Sequence, residues 1–207
     1  MYKMERRSFS TQKSRLIFLD IETTGLNPFN SHIIEIALSD NLGNSWETLI
    51  KSPKPISSKI TDITKITNDM LNKDGINIKD ALNKMIDFIE GANMNCNSAK
   101  WVIGHNLIGF DWAFIQHHCK LNKLTLPIYI NLLDTYRIAQ YLLRDEYQSY
   151  KLCNLCDQFK LGQSGFHRAM NDVSATHKLF DHFLDIFTSK NINLKRIWEL
   201  TSYPFMG

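Results

Sequence analysis

Residues 16–25 read Leu-Ile-Phe-Leu-Asp-Ile-Glu-Thr-Thr-Gly. Four consecutive apolar residues run straight into Asp20, Ile21 and Glu22, and Gly25 and Pro28 close the segment. A short unbroken apolar run bounded by turn residues is the pattern of a strand buried in the middle of a sheet. Side chains alternate along a strand, so Asp20 and Glu22 share one face. Two acids there repel each other, and burying a charge without a partner is expensive. A hard divalent cation with oxygen ligands is the natural neutraliser. The plainer alternative, acids at a strand end facing water, is the commoner fate of an isolated Asp-x-Glu. The rest of the chain decides between the two.

The chain has 207 residues, enough for one domain with a sizeable core. No apolar stretch reaches the roughly 20 residues that would span a membrane, so no membrane association is expected. The net charge of +3 is too small to argue for nucleic acid by itself. An acidic site would, however, hide part of a basic groove in that sum. Residues 1–14, with Lys3, Arg6, Arg7 and Lys13 against Glu5, lack the apolar centre of a secretory signal. They are expected to be a disordered basic tail rather than a transit peptide, which places the protein inside the cell, in cytoplasm or nucleus. Cys96, Cys119, Cys153 and Cys156 are then expected to be reduced thiols. Cys153-x-x-Cys156 has metal-ligand spacing but no second pair to complete a site. Leu152, Leu155 and Phe159 around it fall at helical spacing, which favours two half-buried helix positions.

Strands are expected over 15–21, 32–39, 46–51, 101–104 and 128–133, with a hairpin turn at Asp40-Asn41-Leu42-Gly43-Asn44. The segment 52–60, with Pro53 and Pro55, reads as irregular, and 61–71 as short helical turns. Apolar residues at Ile78, Ala81, Leu82, Met85, Ile86 and Ile89 mark an amphipathic helix stopped by Gly91. Further helices are expected over 111–121, 134–143, 152–159, 168–188 and 193–200. A β-meander followed by alternating helix and strand predicts an α/β fold with a mixed five-stranded sheet. Its first three strands are antiparallel and helices cover both faces. The domain is expected to span 15–190, with a C-terminal helix and tail over 191–207.

Two further acidic positions carry chemistry. Asp111 closes His105-Asn106-Leu107-Ile108-Gly109-Phe110-Asp111 at the start of a helix, where an N-capping role is an equal alternative. Asp172 lies on a helix among Ala169, Val173, Ala175 and Leu179, and His167 precedes it by five residues at the helix lip. In chain order the set is Asp-x-Glu, Asp, His, Asp. At this point the chain resembles the DEDDh family of 3′-to-5′ exonucleases, the DnaQ-like branch of the ribonuclease-H-like superfamily. Asp20-Ile21-Glu22-Thr23-Thr24-Gly25, His105-Asn106 through Phe110-Asp111, and His167-Arg168-Ala169 through Asp172 resemble its three motifs. Ile33-Ile34-Glu35-Ile36 resembles its second strand and Leu133-Asp134-Thr135 the segment before its last motif. Ile66-Thr67-Asn68-Asp69-Met70-Leu71 is similar to its Gly-Ile-Thr segment, with Lys65 where glycine is usual. The spacing from His105 to Asp111 is closest to that of the three-prime repair exonucleases.

The resemblance implies two Mg²⁺ or Mn²⁺ ions held by Asp20, Glu22, Asp111 and Asp172, which stabilise the attacking and leaving oxygens at phosphorus. It implies that His167 is the general base for the attacking water. It also implies release of nucleoside 5′-monophosphates from 3′ ends of single-stranded DNA or RNA. Thr23, Thr24, Leu26, Ile66 and Asn106 are the expected substrate contacts, with core packing the alternative for Leu26 and Ile66. Lys51, Lys54, Lys59 and Lys65 border the expected groove. An RNA-trimming exoribonuclease or oligoribonuclease, an inactive binding module, and a proofreading unit working with a polymerase or repair partner are the competing readings. Oligomeric state is left open by the sequence.

Overall fold

The structure is a computed structural model that describes residues 15–91, 100–127, 130–144 and 149–193, and the backbone of 202–204. The basic tail at 1–14 and all but the first residue of the helix expected over 193–200 lie outside the described residues.

The central strand β1 (Arg15–Thr23) extends two residues further than its apolar run suggests. It pairs antiparallel with β2 (Ile33–Asp40), which pairs antiparallel with β3 (Ser45–Leu49). On its other side β1 pairs parallel with β4 (Lys100–Gly104), and β4 parallel with β5 (Ile130–Asp134). The five expected strands are all present. A sixth short strand, β6 (Ser202–Pro204), joins antiparallel to β5, giving the order β3-β2-β1-β4-β5-β6. Sequence reading missed β6 because three residues have no periodicity to detect.

Between β3 and β4 lie α1 (Ser58–Thr64), α2 (Asn68–Asp74) and α3 (Ile78–Glu90). The segment read as irregular to residue 60 therefore turns helical at Ser58, because Ser57 caps α1 by accepting from the Ile60 amide. Lys65 ends α1 in the left-handed conformation at φ 61°. That conformation favours glycine, so Lys65 adopts it at some cost. The predicted α3 is capped by Asn77 and terminated at Gly91, with φ 68°. After β4 comes α4 (Asp111–Leu121), and after β5 come α5 (Thr135–Leu142), α6 (Leu152–Gln158) and α7 (Ala169–Ser189).

The alternation along β1 splits the core. Ile17, Leu19 and Ile21 pack with α3 and α4 on one face. Leu16 and Phe18 pack with α5, α6 and α7 on the other. Phe18 stacks on His177 of α7, with ring centroids 4.0 Å apart. Asp20 and Glu22 continue the Phe18 row, so the period of two aims both acids at the N-terminal end of α7. On α6, Cys153 is half-buried as the helical reading of that pair expects, whereas Cys156 is fully buried.

Candidate active site

The acids meet at the carboxyl ends of the parallel strands, where β1 outruns its neighbour. Ladder pairing of β4 with β1 ends at Phe18–Ile103. Beyond it the chain leaves through Gly104, whose added Cβ would come within 2.8 Å of Leu107 Cβ and 3.0 Å of the Leu19 carbonyl. Only glycine lets the two backbones part that closely. The departure leaves the far end of β1 open along one edge. There the Ile21 amide donates to Asp111 Oδ1 at 3.3 Å. Asp111 is thus not the N-cap of α4, a position held by Phe110 without a side-chain cap. It reaches across to β1 instead. On the opposite edge, pairing with β2 shifts register between Glu22 and Thr23, an irregularity of the kind that re-aims side chains beside active sites.

The fourth acid arrives on the first turn of α7. The Asp172 Oδ2 accepts from the His167 amide at 3.1 Å, and His167 is held left-handed at φ 68°. Glu22, His167 and Asp172 each offer a ligand atom, and these atoms all lie within 4.8 Å of one another. The other oxygen, Asp172 Oδ1, is buried without a hydrogen-bond partner among the described residues. His167 itself is exposed.

Electrostatics follow from that crowding. Burial pushes the Asp20 carboxyl well above its ordinary range, and Asp111, Asp172, Glu22 and Glu35 add repulsion. Burial, then Asp172 and Glu35, carry Glu22 up to about 8. Burial lifts Asp111 to about 8, against amide hydrogen bonds that lower it. Burial lifts Asp172 to about 6, with the His167 amide opposing. Four acids that resist ionisation together, with one buried oxygen left unpaired, fit a hard dication.

The supporting loops are built by groups that sequence reading did not single out for this role. Asp134, at the end of β5, accepts from the amides of Asn106 at 2.8 Å, Ile108 at 3.1 Å and Tyr136 at 3.0 Å. It thereby folds the turn that leads to Asp111. Both ring nitrogens of His105 are engaged, with Thr135 Oγ1 at 2.9 Å and the Tyr150 carbonyl at 2.8 Å. Burial lowers His105 to about 4, so it is a neutral strut. His118 reaches the Ser31 carbonyl, and Cys119 is buried beside it, both in packing roles.

The expected substrate contacts separate into two groups. Leu26 is 86% exposed at the tip of the loop after β1, and Phe29 of the same loop is also exposed, edge-on to His117. Asn106 is exposed and left-handed at φ 66°. Ile66 corrects the expectation: it is fully buried with Ile34, Ile56 and Leu71, so no face remains for a base. The apolar neighbours on β2 and α2 claimed it. Thr23 is also mostly committed, its hydroxyl donating to the Gly25 carbonyl at 2.7 Å. Thr24 Oγ1 accepts from the His32 amide at 2.9 Å, leaving its own proton to donate. Lys65 donates to the Asp62 carbonyl, whereas Lys51, Lys54 and Lys59 are exposed.

Comparison with known proteins gives a consistent set of relatives. The exonuclease family model named for RNase T matches residues 17–180. The PolC-type DNA polymerase III of Caldanaerobacter subterraneus subsp. tengcongensis is 32% identical over 94% of this chain, and that of Mycoplasma genitalium 31% identical over 86%. The chain spans only 13% and 12% of those polymerases. Among solved structures, E. coli exonuclease I in complex with a dA16 oligonucleotide superposes with a TM-score of 0.73 at 19% identity, covering 90% of this chain and 42% of that one. The zinc-bound complex of E. coli exonuclease I with single-stranded DNA gives 0.70 at 20% identity, covering 86% and 43%. At that identity the likeness speaks to fold alone.

Proposed function

Because the chain belongs to the RNase T-type, DnaQ-like exonuclease family, we propose that it is a divalent-metal-dependent 3′-to-5′ exonuclease of the DEDDh type. It removes nucleotides from single-stranded ends, DNA in preference to RNA. The observation that carries this reading is the buried, unpartnered Asp172 Oδ1 in the cluster of Glu22, His167 and Asp172. Asp20, Glu22, Asp111 and Asp172 would hold Mg²⁺ or Mn²⁺. Bound there, two such ions would stabilise charge on the attacking and leaving oxygens at phosphorus.

The chain's own groups do the rest. Their raised carboxyls make the acids reluctant anions until a cation arrives. His167, exposed and tied through its amide to Asp172, takes the proton from the attacking water. Leu26 stands at the loop tip as an apolar surface for the terminal base. The hydroxyl of Thr24 and the exposed Asn106 are free to contact the last nucleotide. Preference for DNA rests on the relatives, whose names are those of DNA polymerases and of an exonuclease seen with DNA oligonucleotides. Their polymerase identity also favours a second reading, in which this unit proofreads beside a polymerase.

The test is degradation of 5′-labelled single-stranded DNA and RNA of equal sequence, with Mg²⁺ or EDTA, beside His167→Ala and Asp20→Ala proteins. The expected result is a ladder shortening from the 3′ end, faster on DNA, abolished with EDTA and in Asp20→Ala, and slowed to a small residual rate in His167→Ala. Binding without cleavage, in Mg²⁺ and in Mn²⁺, overturns the catalytic reading. Faster cleavage of RNA overturns the substrate preference.

A further inference from the structure

Glu35 stands in the middle of the apolar run Ile33-Ile34-Glu35-Ile36-Ala37-Leu38 and is only 2% exposed. It is the direct partner of Glu22 across the β1–β2 ladder. A fifth carboxylate this close to the four acids should worsen their repulsion, and its contribution to Asp20, Glu22 and Asp172 is to push each upward. Yet Glu35 is fully engaged elsewhere. Arg168 Nη2 donates to its Oε1 at 2.8 Å, and Arg168 Nε donates to Oε1 at 3.1 Å and Oε2 at 3.3 Å. The Ala169 amide donates to Oε2 at 2.8 Å.

Those contacts have a mechanical meaning. Arg168 is the residue that caps α7 by position, but its side chain makes no cap. The carboxylate of Glu35 does that work from the neighbouring strand, where a negative group at a helix N-terminus is favourable. Arg168 lies between the left-handed His167 and the first turn carrying Asp172, whose amide donates to the Arg168 carbonyl at 3.1 Å. A left-handed histidine is a strained conformation that persists only when its surroundings hold it. The fork of Arg168 on Glu35 is the tie between that strained residue and the strand facing Glu22.

Resting on the reading of His167 as the general base, we propose that Arg168 and Glu35 are positioning residues. Their ion pair sets His167 over Glu22 and Asp172 and gives the Glu35 carboxylate its counter-charge beside the acidic set. The pair acts through His167, so its loss slows turnover without weakening substrate binding.

The experiment compares Arg168→Gln, Arg168→Lys and Glu35→Gln proteins, each checked for folding by circular dichroism and thermal melting. Arg168→Gln is expected to lower kcat at least about tenfold, the scale seen when an orienting partner is lost, with KM within about twofold. Arg168→Lys recovers part of the rate, because an ammonium restores the charge but not the fork. In a His167→Ala background, Arg168→Gln is expected to change the remaining rate by less than about twofold, since the two act as one unit. The ¹H–¹³C resonances of the His167 ring shift in Arg168→Gln and return towards wild type in Arg168→Lys. A folded Arg168→Gln protein with unchanged kcat overturns the proposal, as does an equal further loss on top of His167→Ala. The two failures are distinguishable. Absence of nuclease activity in the wild type refutes the proposed function, whereas an unmoved His167 resonance in Arg168→Gln refutes the positioning role.

Discussion

The two ends of β1 bury charge in opposite ways. At its start Arg15 is buried with Asp40, Nε to Oδ2 at 2.8 Å, and its guanidinium also donates to the carbonyls of Phe88 and Ile89. Burial pushes Asp40 upward, but donors from Asn44, Arg15 and Leu42 outweigh it and hold the carboxyl below its ordinary value. At the far end of the same strand Asp20 and Glu22 meet Asp111 and Asp172, and every one of these four carboxyls is raised. The first end has cations and amides for its charge, so it stabilises the fold. The second has an excess of acids, and that deficit is what a bound cation would correct. A buried charge reads as structural or functional according to whether the fold itself supplies its partners.

The sharpest break of this contrast is Asp20→Asn, which should abolish nuclease activity yet raise the melting temperature of the metal-free protein at pH 8. Removing one of several mutually repelling buried charges is expected to stabilise the fold by about 1–3 kcal/mol. A metal-free Asp20→Asn protein that melts below wild type would contradict the excess-charge picture. At the other end, Asp40→Ala should destabilise by about 3–5 kcal/mol, because it strands a buried guanidinium. Denaturant titration measures it, and kcat of the folded fraction should not change.

The two ends should also part company with pH. Carboxyls whose folded values are raised bind protons more tightly folded than unfolded, so the stability they contribute is present in acid. It is lost as pH rises through the folded value, about 6 for Asp172 and about 8 for Glu22. Asp40 has the reverse sign, its contribution being present above the unfolded value and lost in acid. Metal-free protein should therefore melt at falling temperature from about pH 5 to pH 8.5, and Mg²⁺ should raise the melting point more at pH 8 than at pH 5. Equal stabilisation by Mg²⁺ at both values would count against titration of the four acids. The smallest expected effect is that of Leu26→Ala. This exposed residue should leave stability within about 0.5 kcal/mol of wild type. If a base lies on it, KM for an oligonucleotide should rise about fivefold, near the lower end of stacking energies, with kcat unchanged.

How far the site could be read without coordinates depended on the kind of signal. Asp20 and Glu22 were visible because the period of a strand places them on one face whatever surrounds it. Asp111 and Asp172 were visible as acids at the ends of predicted elements, and the structure brings both to the end of β1. Ile66 misled, since an apolar residue next to a motif looks the same whether it faces a groove or the core. Glu35 was passed over as part of a strand pattern, although a lone acid inside five apolar residues was a signal that a buried cation must face it. Asp134 sat in a quoted segment, and its capping of the 106–108 turn depends on β4 lying beside β5.

The sequence by itself therefore determined what is local. It specified the elements, through their periods and caps, and the residue types able to hold a metal and move a proton. The paired chemistry of Asp-x-Glu on one strand face belongs to that class, because it needs only the backbone geometry of a strand. Tertiary structure alone decided which charges are compensated. Arg15 finds Asp40 and Arg168 finds Glu35 across 25 and 133 positions of chain, while the charges that bear on Asp20 among the described residues are those of other acids. That outcome depends on the sum of long-range contacts and on how much water each group loses, and neither quantity is encoded in neighbouring residues.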